Sequence, residues 1–221
     1  MLVDATPTEA AGREARTAPL LRVVDDEPTI LTLFQRIGER NGFDVECHDT
    51  ATSFLAQFDD RRPGCLVLDL MLPDRSGIEV LEELTQRGCE LPVVFMSGMA
   101  RVSEAVRALK LGSIDFVEKP FEIGPLTEVL RRAVDLDLRR RQNDADQDQI
   151  RRRLASLTRR EQEVMEQIVR GAANKEVAAK LGLSHKTVEV HRANVMRKTA
   201  AGSLAELVRM HVAVNSTPSD Q

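Results

Sequence analysis

The apolar residues of this chain come in short runs, and the runs end on residues with chemistry to offer. Leu21 to Val24 leads into Asp25 and Asp26, Cys65 to Leu68 into Asp69, Val93 to Met96 into Ser97, and Phe116 to Glu118 into Lys119. Runs of this length bounded by polar or turn residues read as strands buried on both faces, as in a parallel sheet. Helix-length amphipathic stretches separate them. The pattern therefore predicts an α/β doubly wound sheet with strands at Leu21 to Asp25, Asp44 to His48, Cys65 to Asp69, Pro92 to Ser97 and Asp115 to Lys119. Ligands of such sheets bind outside the carboxyl ends of the strands, where residues distant in sequence converge. Here the convergence gathers the carboxylates of Asp25, Asp26 and Asp69, the Ser97 hydroxyl and the Lys119 ammonium.

The intervening helices carry their own punctuation. Pro28 suits a first helical turn, where its missing N–H costs nothing, and Gly42 is placed to stop that helix. Thr50 or Thr52 is positioned to cap the second helix. Gly77 opens a third with an apolar stripe of Val80, Leu81 and Leu84, and Ser103 is positioned to cap a fourth that Gly112 stops. From Leu126 to Arg170 there are 45 residues without Gly or Pro, which permits long helices. Heptad columns there begin with Val129 and Leu136 or Leu126 and Ala133, and end with Ile150 and Leu157 or Leu154. Their middle, Arg139 to Gln149, is almost wholly polar. It reads as a solvated linker helix or tether, with a dimeric coiled coil as the other reading.

Charge divides the chain as sharply as hydrophobicity does. Residues 1 to 150 hold 18 Lys and Arg against 28 Asp and Glu, while residues 151 to 221 hold 13 against 7, so a total of −4 conceals an acidic part and a basic part. A basic carboxyl-terminal part points to a polyanion, with nucleic acid first among the candidates. We expect a tail at 1–19, an α/β domain at 20–135, a helical linker at 136–156 and a small all-α domain at 157–221. Cys47, Cys65 and Cys89 lie 18 and 24 residues apart, without a C-x-x-C pair, and suit neither a zinc site nor a disulfide framework. They read as reduced thiols beside strands. Met1 to Pro19 carries Asp4, Glu9 and Glu14 and lacks the apolar core of a secretory signal. With no run of membrane-spanning length, the expectation is a cytoplasmic protein.

An aspartate carboxylate can attack phosphorus to give an acyl phosphate. Asp69 is the candidate. Clustered carboxylates repel one another unless a cation sits among them, and Mg²⁺ suits because it takes one or two carboxylates, several waters and phosphate oxygens. Asp25 and Asp26 would hold it, while Lys119 adds positive charge and Ser97 a hydrogen-bond donor. Singly, each of these residues reads more simply as a turn, cap or solvated residue; it is their joint placement at strand ends that carries the signal.

Val23-Val24-Asp25-Asp26-Glu27-Pro28, Leu68-Asp69-Leu70-Met71-Leu72-Pro73-Asp74-Arg75-Ser76-Gly77 and Glu118-Lys119-Pro120-Phe121 resemble a bacterial response-regulator receiver domain, over about residues 20 to 135. The resemblance implies a flavodoxin-like fold in which Asp69 accepts a phosphoryl group from a sensor histidine kinase. It implies a Mg²⁺ site of Asp25, Asp26, Asp69 and the backbone carbonyl of Met71, with Ser97 and Lys119 on the phosphoryl oxygens. It also implies that Phe116 swings inward as Ser97 moves, although Phe116 reads equally well as core. A cis peptide is expected at Lys119-Pro120.

In the basic part, Thr158 and Glu161 form a capping-box pattern opening a helix that turns Val164, Ile168 and Val169 inward, and Gly171 ends it. Asn174 is expected to cap the next, which buries Val177, Ala178 and Leu181 and stops at Gly182. Ser184 caps a third. Two helices joined by a tight Gly-containing turn make a helix-turn-helix, whose second helix lies in the DNA major groove. On that helix Val188, Val195 and Thr199 share one side, and Lys186, Glu189, Val190, Ala193 and Arg197 share the other. Glu189 is suited to cytosine N4 and Val190 to a thymine methyl, whereas Lys186, Arg197 and Lys198 suit phosphates. Lys186-Thr187-Val188-Glu189-Val190-His191-Arg192-Ala193-Asn194-Val195-Met196, with Asn174 to Ala178, resembles the LuxR-type helix-turn-helix of the NarL/FixJ response regulators, nearest the FixJ branch. The implied protein is a non-enzymatic transcription factor that binds promoter DNA as a phosphorylated homodimer, with RNA polymerase as a further partner. Thr199 departs from the Leu or Met of that family, which predicts looser packing there. A flavin-binding protein of the same fold and a DNA-binding protein with a vestigial acidic site are the competing readings.

Overall fold

The computed structural model describes residues 18–98 and 102–215, with the backbone alone for 102–105. Most of the expected 1–19 tail and the Ser103 side chain lie outside the described residues. The chain divides into two compact units between Arg140 and Arg141.

In the first unit, strands β1 (Leu20–Val24), β2 (Asp44–His48), β3 (Gly64–Asp69), β4 (Val93–Ser97) and β5 (Asp115–Glu118) form one parallel sheet in the order β2-β1-β3-β4-β5. The order reverses beside β1 and β3, which opens a crevice at their carboxyl ends. Period-two alternation decides which residues face which helix layer. Leu21, Val23, Cys65, Val67, Val94 and Met96 pack with α1 (Pro28–Asn41) and the start of α5 (Ile123–Ala155). Val24, Leu66, Leu68, Val93 and Phe95 pack on the other face with α2 (Ala51–Gln57), α3 (Gly77–Gln86) and Ala108 of α4 (Val102–Lys110). Each fully buried Leu or Phe in these layers contributes on the order of 2 kcal/mol of apolar transfer. Among the described residues, no helix is long and apolar enough to cross a membrane.

Asp25 and Lys119 fall one residue beyond the strands they were expected to close. Their backbones stay tied to the neighbouring strands all the same: the Asp25 N–H donates to the His48 carbonyl at 3.0 Å and the Lys119 N–H to the Ser97 carbonyl at 2.8 Å. The Lys119-Pro120 peptide is cis, as expected. Of the two candidate caps for α2, Thr50 is the one used, its hydroxyl accepting the Ser53 N–H. A Cβ on Gly77 would stand 2.3 Å from the Asp69 carbonyl oxygen, so glycine is what lets α3 start directly against the end of β3.

Helix α5 runs unbroken for 33 residues. Leu126, Leu130, Ala133 and Val134 are spent on the core of the first unit, while Ile150 and Leu154 pack against that of the second. The stretch between them, Arg139 to Gln149, is almost wholly polar. Asp137, placed by the sequence in the linker, is instead fully buried in the first unit. Its carboxylate accepts the Gly64 N–H at 2.9 Å and the Arg140 guanidinium at 2.6 Å.

The second unit holds α6 (Arg159–Val169), α7 (Asn174–Leu181), α8 (His185–Thr199) and α9 (Leu204–Asn215). One cluster joins Val164, Ile168, Val177, Ala178 and Val188, and another joins Leu157, Met165, Val195, Leu207 and Met210. Asn174 does not cap α7. The N-cap is Ala173, whose N–H is taken by the Glu176 carboxylate at 2.9 Å, and the Asn174 side chain accepts from Arg192 of α8 at 3.2 Å. A helix-forming carboxylate three residues on satisfies the free amide, which releases Asn174 to bind across the motif.

Candidate acidic centre and nucleic-acid interface

Four chain segments deliver the acidic centre. The Asp25 side chain, fully buried beyond β1, is shaped by a local turn in which its Oδ1 accepts the Glu27 N–H at 3.0 Å. Asp69 ends β3 and is 6% exposed, its Oδ1 accepting the Met71 N–H at 3.0 Å. Lys119, just past β5, sends its ammonium between them, 2.8 Å from Asp25 Oδ2 and 2.6 Å from Asp69 Oδ2. Ser97 is buried at the end of β4, next to Met96, which pairs with Asp69.

A third carboxylate joins the ammonium: Glu27, with Oε1 at 2.9 Å. The carboxylates that come together, within 4.8 Å of one another, are thus those of Asp25, Glu27 and Asp69. Asp26, expected in this group, is exposed and outside it. The Glu27 N–H closes the turn on Asp25 and its side chain follows the Lys119 charge, while Asp26, between them, is exposed. Three carboxylates against one ammonium leave two formal negative charges in the crevice.

The titration behaviour follows from this crowding. Burial pushes the Asp25 carboxyl above its ordinary value, against the pull of Lys119. Burial acts to lower Lys119, but its bonds to Asp25, Asp69 and Glu27 outweigh it and hold the ammonium far above its ordinary range. Asp25 Oδ2 is a buried carboxylate oxygen that meets the ammonium but no hydrogen bond of good geometry. A hard divalent cation fits such a set, since it binds oxygen and cancels the excess charge. Met71 adds a backbone held on both sides, by its N–H to Asp69 and by a bridge to Ser76.

Phe116, expected either as a switch or as core, is half-buried and packs against the α3 side of the sheet.

In the second unit the turn between α7 and α8 is short, and Gly182 takes a left-handed conformation with φ of +65°. Ser184 caps α8 by accepting the Thr187 N–H at 3.0 Å. Val188, Val195 and Thr199 are the buried residues of α8, and Lys186, Glu189, Val190, Ala193 and Arg197 are all exposed. Val190 is 54% exposed, an apolar side chain in the middle of a polar face. Two expectations change. Lys198 does not stand free for a phosphate, because its ammonium lies 2.6 Å from the buried Glu161 carboxylate. Thr199 is not loosely packed: it is fully buried and its hydroxyl donates to the Val195 carbonyl at 2.8 Å. That back-bond supplies the hydroxyl's partner within the helix, which makes burial tolerable.

Comparison with known proteins matches both units. Residues 21–131 match the response regulator receiver domain, and residues 155–211 match bacterial regulatory proteins of the luxR family. The chain is 41% identical over 199 residues to the transcriptional regulatory protein FixJ of Rhizobium meliloti (strain 1021), covering 90% of this chain and 98% of that protein. The chain belongs to the LuxR-type response regulators. Response regulator protein TodT of Pseudomonas putida is 35% identical over 193 residues, 87% of this chain and 85% of that one. Among solved structures, the response regulator StyR superposes with a TM-score of 0.82 at 39% identity, over 88% of this chain and 98% of that one. Full-length FixJ from B. japonicum gives 0.56 at 36% identity, over 91% and 100%. This response regulator is therefore a phosphorylation-activated, DNA-binding transcriptional regulator of the two-component type, and its relatives are transcriptional regulators rather than enzymes. The flavin-binding alternative falls to the receiver match.

Sequence reading missed Glu27 as a member of this response regulator's acidic centre. Glu27 was visible as a third acid after β1, but its side chain was not expected to turn inward. Asp74, outside that centre, gave no signal of its bonds to the start of α2, which lies more than twenty residues earlier.

Proposed function

We propose that Asp69 is the phosphoryl acceptor and that a sensor histidine kinase is the donor. A carboxylate oxygen of Asp69 forms the new bond to phosphorus as the phosphorus–nitrogen bond of a phosphohistidine breaks. The observation that carries this reading is the Lys119 ammonium held 2.6 Å from Asp69 Oδ2, where it neutralises charge that the transfer brings in. The buried Asp25 Oδ2, which meets the Lys119 ammonium without a hydrogen bond of good geometry, and the two-charge excess support Mg²⁺ as the cofactor, held by Asp25, Asp26, Asp69 and the Met71 carbonyl. When bound, Mg²⁺ would neutralise and orient the incoming phosphoryl group. The Ser97 hydroxyl and the Lys119 ammonium bind the phosphoryl oxygens, and Phe116 follows Ser97 inward. Phosphorylation shifts the population of two receiver states because these contacts form better in one of them.

The favoured state is a homodimer, and exposed Val106 and Leu109 on α4 supply apolar surface for it. Two recognition helices then sit on promoter DNA in the cytoplasm, with RNA polymerase a further partner. Lys186, Thr187 and Arg197 serve the phosphate backbone, Glu189 and Val190 read bases, and Ala193 permits close approach. Intact mass and solution size, measured with Mg²⁺ and acetyl phosphate, test the receiver half: wild type gains one phosphoryl group and dimerises, and Asp69→Asn does neither. An equal adduct on the variant removes Asp69 as acceptor. For DNA, Arg197→Ala weakens binding on all sequences and lowers the salt slope by about 1, whereas Val190→Ala changes sequence preference. Binding that ignores salt would sink the phosphate contacts.

A further inference from the structure

The loop from Leu70 to Ser76 joins the Asp69 end of β3 to α3, and it is anchored at each end by its own backbone. Met71 donates to Asp69 Oδ1 at 3.0 Å, and the Gly77 N–H donates to the Leu70 carbonyl at 2.9 Å. From within it, Asp74 reaches a different element. One carboxylate oxygen accepts the Ala51 N–H at 3.1 Å, and the other accepts the Thr52 N–H at 2.8 Å and the Thr52 hydroxyl at 2.6 Å. Helix α2 is thus capped from two directions. Thr50 takes the Ser53 N–H by its hydroxyl and the Phe54 N–H by its carbonyl, while Asp74 takes the two amides before them. The three free amides that follow the N-cap, of Ala51, Thr52 and Ser53, are thus satisfied, two of them by a residue more than twenty positions later.

The bonds close a ring around the acidic centre. The Asp25 N–H donates to the His48 carbonyl at the end of β2, and α2 begins three residues later. From the start of α2, Asp74 leads into the loop that carries Met71 and returns to Asp69. The Thr52 hydroxyl and then the backbone amides hold the Asp74 carboxyl at about 2, so it is ionised wherever the protein works.

We propose that Asp74 is a positioning residue: by tying the β3–α3 loop to α2, it fixes the Met71 carbonyl and Asp69 relative to Asp25 and so sets the affinity for Mg²⁺. This rests on the Mg²⁺ reading above. Residues that orient metal ligands without touching the ion typically change affinity by about 10–100-fold when removed, and that is the expected loss for Asp74→Ala. Asp74→Asn, which keeps one acceptor for Thr52, loses less.

The test is a titration of the full chain with Mg²⁺ alone, followed by backbone-amide NMR, on wild type, Asp74→Ala, Asp74→Asn and Thr50→Ala. Thr50→Ala weakens the same helix start without touching the loop, so its Mg²⁺ affinity should match wild type. Equal affinity in wild type and the folded Asp74 variants overturns the proposal. So does an equal loss in Thr50→Ala, because the effect would then run through fraying of α2. Should Asp74→Ala fail to fold, Asp74→Asn decides by the same comparison. A wild type that does not respond to Mg²⁺ overturns the reading of the acidic centre and this proposal with it, and is recognisable because no variant is needed to see it.

Discussion

Both units tuck a lysine against carboxylates, and they do so with different arithmetic. Lys119 faces Asp25, Glu27 and Asp69, whereas Lys198 faces, among the described residues, the carboxylate of Glu161. In the second case the charges balance one to one, and the oxygen that meets Lys198, Glu161 Oε2, also accepts the Thr158 N–H at 2.8 Å and the Thr158 hydroxyl at 3.0 Å. A charge-balanced pair ties α8 to the start of α6. The receiver cluster keeps two surplus negative charges and a buried oxygen without a good hydrogen bond, a state that costs stability unless something else binds. Imbalance marks the working site, and balance marks the structural one.

The largest effect that could break this contrast lies at Asp69. Asp69→Asn should abolish phosphoryl incorporation while the fold, followed by circular dichroism, stays intact. A sharper comparison removes each lysine. Lys119→Met should destabilise the receiver by about 3 kcal/mol without Mg²⁺, and added Mg²⁺ should restore more stability than it gives wild type, because the ion no longer competes with the ammonium. Lys198→Met should cost the second unit about 2 kcal/mol, less because that lysine is partly solvated, and Mg²⁺ should restore none of it. Urea unfolding with and without Mg²⁺ separates the two; identical responses would erase the distinction.

Acid offers a smaller effect. Lys198, helped by the Thr158 N–H, holds the Glu161 carboxyl at about 2, below its ordinary 4.5. A depressed carboxyl stabilises the fold above its unfolded value and stops doing so as pH falls through the folded one. The contribution of Glu161 should therefore be level above about pH 4.5 and decline from there toward pH 2, visible as a falling melting temperature. Glu161→Gln should remove that part of the pH dependence. The smallest change tests backbone rather than charge. Ala200 ends α8 with φ of +55°, a left-handed conformation that costs a non-glycine residue about 1 kcal/mol. Ala200→Gly should recover about that much and leave the pH and Mg²⁺ responses of both units unchanged.

The two functional surfaces were legible to different degrees because they are assembled differently. The outward face of α8 lies on one helix, so a 3.6-residue period suffices to separate Lys186, Glu189, Val190, Ala193 and Arg197 from Val188, Val195 and Thr199. The acidic centre draws on several strand ends, and it became visible only through the rule that parallel strands bring their carboxyl ends together. That rule puts Asp25, Asp69, Ser97 and Lys119 at or next to strand ends, as the structure has them, and cannot say which way a side chain turns once there.

By itself the sequence determined the order of elements, the two-unit division of labour and the backbone positions of the reacting groups, because apolar period and turn residues act locally along the chain. Tertiary structure decided the partners. It turned Glu27 rather than Asp26 onto Lys119, drew Asp74 across to α2, buried Asp137 against Gly64 and closed Lys198 on Glu161. Each of these bonds forms because a polar group losing water must find its complement within about 3 Å, and which complement is in reach is set by how the elements pack.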